Sequence, residues 1–121
     1  MKTKRLKIME TLIDKNISKG KNGSYTLLAA GAAWNDSTSY SRGERGKKQP
    51  NTFELDLKAL RIFITAGHIY YKGTWIMGCH QLNLKEVECR NCKTATEAAE
   101  YAVKVVRQKV AKMNDALSTC S

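Results

Sequence analysis

Cys89 and Cys92 have C-x-x-C spacing, which lets two thiolates grip one tetrahedral ion. A structural zinc site needs two further ligands, and Cys79 and His80 lie ten residues upstream. One such pair without a second knuckle leaves free thiols as the simpler reading. Catalytic chemistry is harder to assemble. Cys79 and His80 are adjacent, so on a strand they point to opposite faces and do not pair. Neither His68 nor His80 has a G-x-S-x-G nucleophile pattern near it. Glu54 and Asp56 share a strand face, which reads as a solvent face rather than an acid–base pair. The run KGKNGS, residues 19–24, holds Gly, Lys and Ser but not in the G-x-x-x-x-G-K-[ST] order of a P-loop. No G-x-G-x-x-G is present either. These residues point to a binding protein rather than an enzyme, with no cofactor.

The charge is more informative. Of 121 residues, 21 are Lys or Arg and 11 are Asp or Glu, a formal net charge of +10. That surplus attracts polyanions at long range. The cations cluster: Lys2, Lys4, Arg5 and Lys7 near the start; Arg42, Arg45, Lys47 and Lys48 in SRGERGKKQP; Lys104, Arg107, Lys109 and Lys112 near the end. Glycines flank Arg45 and let the backbone approach a phosphate, whose oxygens an arginine fork matches two at a time. Tyr40 and Tyr101 are the aromatics expected to be exposed and to stack on bases. Lys109 stands inside an otherwise apolar helical arc, where a four-carbon stem snorkels readily.

Several elements have to position these groups. Leu6, Met9, Leu12 or Ile13 and Ile17 recur at helical spacing, which predicts a helix over residues 4–18. Residues 24–34 read as one buried strand, and residues 35–51 as a flexible basic loop. From Thr52 the alternation of Phe53, Leu55 and Leu57, then Leu60, Ile62 and Ile64, predicts strands. HIYYK and TWIMGCH follow as two more, joined at Lys72-Gly73, and then LNLKEVECR. Thr94 and Glu97 have capping-box spacing ahead of a long amphipathic helix. The fold class expected is α+β: one domain over residues 1–121, an antiparallel meander of about four to five strands with a helix at each end.

A tryptophan-bearing strand followed by KTATEAAEYAVKVV is similar in layout to the three-strand-plus-helix DNA-binding modules of the AP2 and integrase-arm type. There the helix opens with a like T-x-E-A-A run. The likeness covers about a fifth of the chain, and no functional residue is carried across.

The start, MKTKRLKIMETLIDK, lacks the apolar stretch of a secretory signal, and no apolar run approaches the ~20 residues that span a bilayer. The reading is therefore a cytoplasmic, non-catalytic protein with reduced thiols and no membrane partner. It binds a phosphate-bearing partner, nucleic acid first, with the basic loop and the last helix as a clasp. One alternative is a small oligomeric sponge of the viral anti-defence type, which sequesters a nucleotide or cyclic nucleotide and pairs copies through the C-terminal helix. Another is an adaptor or inhibitor docking on an acidic protein.

Overall fold

The computed structural model describes residues 14–44 and 48–120. Seven strands form one antiparallel sheet in chain order: β1 (Ile17–Lys19), β2 (Tyr25–Ala29), β3 (Ala32–Asp36), β4 (Thr52–Asp56), β5 (Arg61–Thr65), β6 (Ile76–Cys79) and β7 (Leu84–Glu88). A single α-helix among the described residues, α1 (Ala95–Leu117), packs across one face against β2, β5 and β6.

Period-two burial decides which face meets the helix. Tyr25, Leu27 and Ala29 of β2 are buried, whereas Leu28 is exposed. Phe53 and Leu55 of β4 pair across the ladder with Ile64 and Ile62 of β5, which in turn oppose Met77 and Cys79 of β6. All six belong to one core with Trp34. Against it α1 lays Ala98, Ala99, Ala102 and Val106, small residues that let the helix come close to the sheet. On the opposite face Phe63 stands across from Gly78, and a Cβ at Gly78 would collide with its ring.

The N-terminal helix is not seen. Residues 4–13 of that expectation, with Lys4, Arg5 and Lys7, lie outside the described residues. Asp14 to Asn16 form a turn and Ile17–Lys19 is a strand, because Ile17 gains a sheet partner in Leu27. The strand count exceeds four to five for a second reason. Residues 24–34 make a hairpin, not one strand: Ala30 (φ 53°) and Gly31 (φ 73°) form a two-residue turn with both central residues left-handed. Trp34 fastens it, its Nε1 donating to the Ala29 carbonyl at 3.0 Å.

HIYYK is not a strand either. Residues 66–75 fold into successive turns, with Tyr71 N donating to His68 O and Thr74 N to Tyr71 O. The His68 ring offers the backbone an alternative to the ladder by accepting from Tyr70 N at 3.1 Å. Leu57 leaves β4 and is exposed, because the Asp56 carboxylate accepts from Lys58 N and starts a turn. The expected alternation holds in β4 and β5, and the C-terminal helix stands where its cap predicts. Thr94 Oγ1 accepts from Glu97 N at 3.2 Å, while Glu97 Oε1 accepts from Lys93 N at 2.7 Å.

Both sheet edges are guarded. β1 has only three residues, and β7 carries Lys85, Glu86 and Glu88 beside a register shift opposite Met77 and Cys79.

Candidate nucleic-acid interface

In an antiparallel meander, alternate connections fall at the same end of the sheet. Here the connections of residues 20–24, 37–51 and 66–75 share one end, and β7 delivers residues 89–94 to it, where α1 begins. Among the described residues these four connections hold Lys21, Arg42, Lys48, Lys72, Arg90 and Lys93 against one acid, Glu44. The connections at the other end, residues 30–31, 57–60 and 80–83, hold Lys58 alone. The connections themselves thus differ in charge between the two ends.

Specific bonds hold the loops of the cationic end side by side. Asn51 O accepts from Ala66 N at 2.8 Å, and Trp75 O accepts from Cys89 N at 2.9 Å. A hollow of about 200 Å³ lies between Gln49, Pro50, Asn51, Ala66, Trp75 and Lys93. Asn35 and Asp36 belong to β3, so the long connection starts at Ser37. Buried Thr38 anchors it: its Oγ1 donates to Thr52 O and accepts from Asn51 N and Thr52 N, closing the base of the loop. Further out, Lys48 pairs with Glu44 at 3.9 Å and Arg42 is exposed. Arg45 and Lys47 lie outside the described residues.

The aromatics sort differently from the expectation. Tyr40 is partly buried and donates to Asp36 Oδ2 at 2.6 Å; burial, and then that carboxylate, push its pKa up to about 12. Tyr101 is half-buried against the core. The exposed ring is Tyr70, 82% accessible beside Ile69 at 70%, on the 66–75 connection. Beneath this tip His68 Nε2 bonds Glu86 Oε2 at 3.1 Å, and the His68 ring meets Tyr71 edge-on at 5.1 Å. Reading HIYYK as a strand hid Tyr70, since one of two adjacent tyrosines then had to face inward.

The helix cations do not join the loop. Lys104, Arg107, Lys109 and Lys112 lie 9 to 17 residues beyond Ala95, about 14–26 Å along the helix at 1.5 Å per residue. Among the described residues none of the four has a carboxylate at ion-pair distance. Lys104 and Arg107 line a hollow of about 370 Å³ with Ala30, Glu100 and Val103. Lys109 is half-buried on the other flank, where it and Lys112 line a hollow of about 560 Å³ with Leu84 and Val105. Among the described residues, the helix cations line hollows that include no residue of the 37–51 connection.

The start of α1 is closed to phosphate. Buried Asp14 accepts from Thr96 N and Thr96 Oγ1, each at 2.7 Å, and Thr94 takes the Glu97 amide. KGKNGS is the β1–β2 connection, so no helix follows it as a P-loop requires. Cys89 is a core residue whose thiol is pushed up to about 12 by burial and then by Cys92. The Cys92 thiol is also raised, by burial and then by Glu97 and Glu100. Among the described residues no group of three or more His, Cys, Asp and Glu is arranged to hold a metal ion. No described helix is long and apolar enough to cross a membrane. The chain matches no protein-family model, no curated protein and no solved structure.

Proposed function

We propose that this chain is a non-catalytic nucleic-acid-binding protein that grips the phosphate backbone with the loop end of its sheet. One observation carries the reading: four connections at one end of the meander hold six described cations and one acid, Glu44, while the carboxylates of Asp14, Asp36, Glu86 and Glu97 bond to residues at their bases. Each cation that neutralises a phosphate releases counterion, so a patch of this kind binds without regard to base order. Tyr70, exposed at the rim, offers a face on which an unpaired base stacks. Lys104, Arg107, Lys109 and Lys112, spread over two flanks of α1, add weaker, longer-range attraction.

Fluorescence anisotropy with ~25-mer DNA and RNA, single- and double-stranded, tests this. Neutralising about four phosphates predicts a roughly hundredfold loss of affinity between 50 and 200 mM salt. Tyr70→Ser weakens single-strand binding about tenfold and leaves duplex binding unchanged. Failure to bind any of the four probes at 50 mM salt overturns the proposal.

A further inference from the structure

The buried stripe of α1 outruns the sheet. Val103, Val106, Val110, Met113 and Leu117 follow at alternating spacings of three and four, the a/d pattern of a coiled-coil seam. The first two are covered by the chain's own sheet. From Val110 onward every described residue is exposed: Val110 at 42%, Met113 at 45% and Leu117 at 66%. Beside this ridge lies an apolar groove of about 540 Å³, walled by Ala30, Leu55, Leu57 and Leu60, with Val106 and Val110 on the helix side. Leu57, at its lip, is 50% exposed.

A projecting apolar ridge next to an apolar groove on one surface is self-complementary under a two-fold rotation, where each copy's ridge enters the other's groove. We infer that a second copy of this chain covers this face, with the two α1 helices antiparallel and crossing near Ala111 and Lys112. That register stacks Val110 on Met113 of the second copy and brings Leu117 of the second copy into the groove over Val106. The flanking charges agree with it. Arg107 faces Asn114 of the second copy and Lys109 faces its Ala116, so no like charges meet at the seam. A parallel pair stacks only the overhanging residues and leaves both grooves open, because the N-terminal half of each helix is already covered. The antiparallel pair is preferred on that ground. This inference stands apart from the nucleic-acid reading, and either can fail alone.

Sedimentation velocity of the full chain from about 1 to 100 µM tests it, a range suited to an interface of modest area. A dimer is expected that becomes a monomer in Met113→Glu/Leu117→Glu with an unchanged circular dichroism spectrum, both side chains being exposed in one copy. In a Cys120→Ser background, oxidising a mixture of Val110→Cys and Met113→Cys chains links unlike chains and gives little Val110→Cys homodimer. A wild-type monomer throughout the range overturns the inference. So does a dimer that survives the double glutamate variant, or a dominant Val110→Cys homodimer, which marks a parallel pair.

Discussion

The two ends of the sheet connect their strands in different ways. At one end the turns are short and the hairpins tight: Ala30-Gly31 reverses the chain in two residues, and Trp34 locks that turn from below. At the other, connections running up to residues 37–51 hold their bases with a few bonds, such as those of Thr38, and project cations outward. The tight end contributes packing and the apolar groove. The open end carries the longer connections and most of the cations that the connections hold.

The sharpest way to break this comparison is a pair of stability measurements by chemical denaturation. Trp34→Ala removes a fully buried ring and its bond to Ala29, and is expected to cost about 3–5 kcal/mol. Thr38→Ala removes the anchor of the long loop and leaves two part-buried amides short of a partner, at about 1–3 kcal/mol. Equal costs would mean that the loop end is as much a part of the core as the tight end.

Next in size is a charge comparison. Lys21→Gln/Arg42→Gln/Lys72→Gln/Lys93→Gln is expected to lower nucleic-acid affinity about a hundredfold at low salt, and Lys104→Gln/Arg107→Gln/Lys112→Gln no more than about threefold. The reverse ranking moves the interface to the helix.

The smallest effect is a titration. The Tyr40 pKa is raised above its ordinary value of 10.0 to about 12, so folding favours the neutral phenol. Its contribution is whole below pH 10 and is lost as pH rises from there through 12. Tyrosinate absorbance should therefore show a late-ionising group that disappears in Tyr40→Phe. If that variant leaves the late step in place, the Asp36 contact does not hold the loop.

Local signals were readable where they were self-sufficient. The Thr94 and Glu97 cap and the spacing of Ala98, Ala102 and Val106 define α1 without outside help, and alternation marks β4 and β5. What escaped depends on tertiary partners. Ile17 sits in helical spacing but is claimed by Leu27, and Ala30-Gly31 lacks the Asn-Gly or Asp-Gly signature of a tight hairpin. These misses mattered for the site, since parity decides where a connection falls. Without β1, and with β2 and β3 merged, the loop of residues 37–51 cannot be assigned to an end. The charge clusters were visible in the chain, whereas the grouping of Lys21, Lys72 and Lys93 with Arg42 and Lys48 was not.

The edges of the sheet carry one more consequence. Among the described residues the seven-stranded meander does not close, and its two border strands, β1 and β7, each pair on one side, the usual setting for fibril growth or capture of an extended peptide. With β1 cut to three residues and β7 studded with Lys85, Glu86 and Glu88, neither border offers a long, flat template. Strand addition at either border is thereby disfavoured.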